Sequence, residues 1–240
     1  MSFVALSLLC GVVPAMIAAL PHQDRQLSGC DISNAKMTLP ASQVALVEPN
    51  ATTPSFIGLA IGVQNYTCSN TSTYTNVGAV AELFDVSCLY GKSAYTSVQT
   101  AAWDAWSAAP ADVTAQDVIA FFSGAPEAKN AVLGQHFYVT NPITGTGVSP
   151  KWDFTSSGKT AGNPAAFVVG AKAGDIASPA GNTSNVDWLS VKPIQGDLAS
   201  QIFRIDTTGG QPPASCTPGS APISVKYTAK YWLFGGSVKK

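Results

Sequence analysis

The sequence predicts an all-β domain: a sandwich or flattened barrel of antiparallel strands with a small helical insertion at about residues 93–133. Three observations carry this. Apolar and polar residues alternate with period two in several separate runs. Gly, Pro, Asn and Ser clusters bound those runs at the spacing of short strands rather than of strand–helix–strand units. Four cysteines lie downstream of an apolar leader, the pattern of an oxidised extracellular domain.

The clearest strand is Ile223–Phe234. Ile223, Val225, Tyr227, Ala229, Tyr231 and Leu233 share one face, and Ser224, Lys226, Thr228 and Lys230 the other. That reads as apolar inward and polar outward, with Trp232 and Phe234 making the far end apolar on both faces. Further strands are expected at Gln43–Val47, Gly58–Cys68, Val77–Val86, Gln135–Thr140, Ala165–Lys172, Val186–Lys192 and Ser200–Thr207. The insertion breaks the alternation. Tyr95, Val98, Ala102 and Trp106 recur at helical spacing. Thr114 and Asp117 form an imperfect capping box ahead of Val118, Ile119, Phe121 and Phe122, with Gly124 at the C-cap.

Composition narrows the function. Of 240 residues, 46% are apolar, enough for a sizeable core, and only 11% are charged. The net charge is −1 and no block of basic residues occurs, which argues against nucleic acid and anionic membrane as partners. Residues 1–19 read as a signal peptide: an apolar run from Phe3 to Val13, too short to cross a bilayer, then Pro14 and the small residues Ala15, Ala18 and Ala19. Residues 20–29 read as a flexible lead-in and 30–240 as one β domain, with no membrane anchor, secreted to the extracellular space or cell wall.

Cys10 falls in the leader. Cys30, Cys68, Cys88 and Cys216 imply two disulfides, with three pairings open. No two of them have zinc-type spacing, so no metal is expected. Sequons at Asn50, Asn65, Asn70 and Asn182 mark glycan acceptors in an exported chain.

Several strings, taken in order, resemble the DUF3455 family of secreted fungal and some bacterial proteins. They are Gly62-Val63-Gln64-Asn65-Tyr66-Thr67-Cys68, Ala81-Glu82-Leu83-Phe84-Asp85-Val86-Ser87-Cys88, Gly134-Gln135-His136-Phe137, Lys151-Trp152 and Asp187-Trp188-Leu189. Arg204-Ile205-Asp206-Thr207-Thr208-Gly209-Gly210 with Pro213 and Cys216, and Tyr227-Thr228-Ala229-Lys230-Tyr231, complete the set. The resemblance implies a fungal, extracellular origin and a Cys68–Cys216 bridge, which leaves Cys30–Cys88 as the second. Fungal members often carry the label malate dehydrogenase. This chain lacks the G-x-G-x-x-G turn of a dinucleotide site, so neither that activity nor any other cofactor is expected.

Candidate chemistry rests on few residues. Glu82, in an apolar run, and His136 are the candidates for a general acid and base, with Asp187 as a partner. Arg204, flanked by Phe203 and Ile205, is a candidate anion clamp. Trp152, Trp188, Tyr66 and Tyr231 are candidates for a sugar-stacking surface. No G-x-S-x-G nucleophile elbow is present. These features favour a non-enzymatic extracellular glycoprotein that binds cell-wall polysaccharide, a small ligand or a host protein. The alternative is a secreted enzyme with a His–carboxylate pair acting on a small anionic or glycan substrate.

Overall fold

The computed structural model describes residues 28–123, 130–181 and 183–238. Eight antiparallel strands form a closed up-and-down barrel: β1 Pro54–Cys68, β2 Tyr74–Asp85, β3 Val132–Thr140, β4 Val148–Asp153, β5 Phe167–Ile176, β6 Trp188–Gln195, β7 Gln201–Gly209 and β8 Ile223–Phe234. Each strand pairs with the next in sequence, and β8 returns to β1, so no edge is left open. Of the two β architectures expected, the chain takes the barrel. Two helices, α1 Ser93–Ala108 and α2 Ala115–Ser123, interrupt the meander between β2 and β3.

The barrel has two apolar layers because β1 and β8 are buried on both faces. The even positions Phe56, Ala60 and Gln64 of β1 and the odd positions Tyr227, Ala229, Tyr231 and Leu233 of β8 face the lumen. Ile57, Leu59, Ile61, Trp232 and Phe234 face outward into a second core beneath α1 and α2. Ala102 and Trp106 are the buried residues of α1, as their helical spacing implied. Trp106 anchors the helix by donating its indole N–H to Gly62 O at 2.8 Å. The Thr114–Asp117 capping box is also formed. The Asp117 carboxylate accepts from the Thr114 backbone N–H and hydroxyl, both at 2.8 Å.

Three readings are corrected. Gln43–Val47 is not a strand, because the Gln43 side-chain amide bonds the N–H and the C=O of Leu46 and closes a local turn. β4 carries Pro150 and Lys151 and gives no alternation signal, yet it pairs along its whole length with β3. It pairs with β5 only from Lys151 onward, so Pro150 deprives the β5 ladder of no donor. The polar face of β8 is solvent-facing only at its start, where Ser224 is exposed and Lys226 half-buried. Thr228 and Lys230 are buried under α1, where Thr228 donates to Gln99 O and Lys230 is neutralised by Asp206 at 3.0 Å and lies 4.2 Å from the centre of the Tyr95 ring.

Cys30–Cys88 and Cys68–Cys216 are bonded. The first ties the segment ahead of the barrel to the turn after β2. The second ties the β7–β8 connection to the end of β1. Residues 1–27, including the signal-peptide reading and Cys10, lie outside the described residues, as do Gly124 and Asn182. Among the described residues no helix is long and apolar enough to cross a membrane.

Candidate functional site

The lumen is chemically divided along its axis. At one end Phe56, Leu133, Phe154, Ala166, Leu198, Ile202, Leu233 and Val238 pack together, with the Phe56 and Phe154 rings edge to face at 5.5 Å. At the other end the same strands supply polar side chains. His136 on β3 lies in register with Ala81 on β2 and Trp152 on β4, and all three share the lumen face. Arg204 on β7 lies in register with Tyr231 on β8, which in turn pairs with Gly58 on β1.

These side chains meet across the barrel. The His136 ring stacks on Trp152 at 4.5 Å and stands 5.6 Å from the ring of Tyr231, with Trp152 and Tyr231 at 5.7 Å. Above them Tyr138 sits 5.8 Å from His136, and the Tyr227 and Tyr231 hydroxyls are 3.4 Å apart. Tyr66 closes the top of β1 by donating its hydroxyl to Gly210 O at 2.8 Å. Strand pairing thins at this end. β2 and β3 separate beyond Ala81–His136 and β4 and β5 beyond Lys151–Val169, while the segment ahead of β6 stays tied to β7 through the Asn185–Gly210 bridge and the Val186 N–H to Gly209 O bond. Side chains fill the lumen at this polar end, where Tyr227, Trp152, His136 and Tyr231 are all buried, and the Cys68–Cys216 bridge ties the end of β1 to the β7–β8 connection.

Electrostatics mark Arg204 as the centre. It is 8% exposed and makes no ion pair among the described residues; Nε and Nη2 both donate to one carbonyl, Asp187 O, at 3.1 and 2.9 Å. Its positive charge acts on His136 and on the phenols of Tyr66, Tyr138 and Tyr227. His136 donates from Nδ1 to Lys151 O at 2.9 Å, which leaves Nε2 as an acceptor. Burial first, and the Arg204 charge after it, lower its pKa to about 4, so the ring is neutral at physiological pH. Burial raises the Tyr227 phenol well above its ordinary range and raises Tyr138 and Tyr66 as well. Among the described residues Trp152 Nε1 and Gln64 Nε2 are buried with no hydrogen-bond partner, as are the outer-core indoles of Trp188 and Trp232.

The lumen thus brings together His136, Arg204, Trp152, Tyr66 and Tyr231, with the backbone carbonyl of Asp187 as the arginine's anchor. Glu82 is elsewhere. It pairs with Ile61 and Gln135 on the outer face, buried near α2, and accepts from Gln135 Nε2 at 3.0 Å. Burial raises its pKa to about 8, so it mostly carries its proton at pH 7. The β2–β3 sheet lies between Glu82 and His136, and no proton passes directly from one to the other. Trp188 also lies on the outer face, in the core beneath the helices, so it forms no stacking surface with Trp152. Asn50 and Asn70 are exposed, Asn70 in the β1–β2 turn, whereas Asn65 is half-buried and accepts from the Ser224 hydroxyl. Among the described residues no three His, Cys, Asp or Glu side chains are grouped to hold a metal.

Sequence reasoning missed Gln64, Tyr138 and Tyr227 as site residues. Each was legible as a period-two neighbour of a chosen residue: Gln64 of Tyr66, Tyr138 of His136, and Tyr227 four positions before Tyr231.

Comparison with known proteins reaches one match. The family model described as a protein of unknown function, DUF3455, matches residues 49–235. The chain belongs to the DUF3455 family. The match begins just ahead of β1 and ends just after β8, so the DUF3455 unit is the whole barrel with its helical insertion. No curated protein and no solved structure matches the chain significantly.

Proposed function

We propose that this DUF3455 protein is a secreted binding protein that holds a small organic anion at the polar end of its barrel. One observation carries the reading: among the described residues, Arg204 is buried in the lumen without a carboxylate partner. A buried guanidinium is costly unless paired, and a bound anion supplies what the chain does not. The unpartnered donors Trp152 Nε1 and Gln64 Nε2 have the same sense, because both ask for an acceptor. Export is supported by the two disulfides together with the apolar leader and the exposed sequons.

Binding of an extended glycan has less support. Trp152 and Tyr231 are almost wholly buried, and Trp188 faces another core. The acid–base alternative loses Glu82 to the far side of the sheet. The test is titration of the processed, oxidised protein with an aromatic sulfonate fluorophore, 1-anilinonaphthalene-8-sulfonate, at pH 7. The wild type is expected to enhance its emission at one saturable site, and Arg204→Met to weaken that site at least tenfold with melting unchanged or raised. Absence of a saturable site, or equal affinity in the variant, overturns the reading.

A further inference from the structure

We infer that the exported chain carries a glycan on Asn50 and that the first sugar, an N-acetylhexosamine, docks in a cleft on the outer face of β5, β6 and β7. This shares only the premise of export with the binding reading and concerns another face of the barrel. The cleft is made by a strap of chain. Residues 45–50 cross the sheet ahead of β1, held by Leu46, which is buried in the outer core, and by Gln201 Nε2 of β7, which donates to Val47 O at 3.3 Å. Gly174 on β5 admits Ala45 O at a place where any side chain would displace it. Between strap and sheet lies a cleft of about 240 Å³. Asn50 lines it, is exposed, and opens the sequon Asn50-Ala51-Thr52. A sugar bonded to this amide therefore begins at the cleft.

Size and chemistry suit that occupant. The volume is below the roughly 300–1,000 Å³ of a drug-sized pocket, so the cleft takes one ring rather than a chain of sugars. Its buried lining residue is Ser190 of β6, 3% exposed, and its exposed ones include Glu48 and Lys192. Among the described residues neither Glu48 nor Lys192 makes an ion pair. A carboxylate accepts from hydroxyls, an ammonium donates to them, and the Ser190 hydroxyl and Gln201 amide do either. An uncharged ring bearing hydroxyls meets all four. Ala45, Val47 and Ala173 add apolar surface for the acetamido methyl. The linkage forms when Asn50 Nδ2 displaces a lipid-linked pyrophosphate from C1 of the sugar. The C1–O bond breaks, the C1–N bond forms, the pyrophosphate leaves with the bonding pair and the amide loses one proton. The co-reactant is a pyrophosphate-linked oligosaccharide, met during export.

The test uses the full chain secreted from a eukaryotic host. Peptide mass mapping is expected to find Asn50 occupied. An endoglycosidase that leaves one sugar on each asparagine should leave the melting temperature unchanged. An amidase that removes the whole glycan should lower it by about 3 °C. In Asn50→Gln the amidase should have no effect on melting, and in Lys192→Ala its effect should shrink while Asn50 stays occupied. An unoccupied Asn50, an amidase step without a shift, equal shifts from trimming and from complete removal, or an undiminished amidase shift in Asn50→Gln overturns the inference. None of these outcomes depends on the naphthalene sulfonate titration, so the two readings fail separately.

Discussion

The two ends of the lumen are made from the same eight strands and held by different forces. The closed end is dry and tightly packed, with Phe56, Phe154, Leu198 and Leu233 at 1% exposure or less. The polar end has two thinned ladders, a covalent bridge and, among the described residues, an arginine that makes no ion pair. Under the proposed function, recognition falls at the polar end and the apolar end serves stability.

Breaking the staple should show the largest effect. Replacing Cys68 and Cys216 by Ala opens a loop with a sequence separation of 148. In the chain-entropy model that costs about 5 kcal/mol, read as a shift of the urea midpoint. Hydrogen exchange should accelerate first at the ends of β1 and β8 beside the lost bridge. Uniform acceleration that includes the β1 residues near Phe56 would erase the distinction between the ends. Truncating the closed end comes next. Phe154→Ala should cost about 3–5 kcal/mol by the same urea measurement and leave ligand affinity within threefold. A comparable loss of affinity would mean that the two ends are one site.

The outer face sharpens the comparison through pH. Glu82 titrates near 8 when folded, against an ordinary value of 4.5. The folded protein then holds a proton that the unfolded chain gives up. This contribution to stability is complete below pH 4.5 and is lost as pH rises toward 8, at no more than about 1.4 kcal/mol per pH unit. His136, lowered from 6.5 to about 4, acts in the opposite sense, costing stability as pH falls through that window. Glu82→Gln should flatten the alkaline decline and leave the acidic one untouched. A variant whose decline from pH 6.5 to 8 matches the wild type would place the carboxyl in water.

The strands of the barrel were legible wherever a single alternation repeated, as in β1 and β8, and the capping box placed α2. β4 was hidden because Pro150 and Lys151 mask a short strand that has only one complete ladder. The site was half legible. His136, Arg204, Trp152, Tyr66 and Tyr231 were chosen one by one for their chemistry, but their convergence depends on barrel closure, which brings β3 and β4 opposite β8 and is written in no local stretch. Glu82 looked like a partner for His136 for the same reason. Alternation puts it on the face opposite Ala81, and only the helical cover explains how that outer face comes to be dry. Lys230 was read as a solvent-facing strand residue because its partners, Asp206 and Tyr95, lie 24 residues before it and on a distant helix.

The most direct measurement is a pair of nitrogen–proton spectra of the processed, ¹⁵N-labelled protein, with and without 1-anilinonaphthalene-8-sulfonate. The chain has five tryptophans, and Arg204 is the arginine of the barrel, so the side-chain signals are few enough to assign by substitution. The Arg204 Nε–H and the Trp152 indole N–H should move together on titration. The indoles of Trp103, Trp106, Trp188 and Trp232, on α1 and on the outer face, should stay in place. Movement confined to those four indoles, or a stationary Arg204 signal at saturating ligand, would contradict the assignment of recognition to the polar end of the barrel.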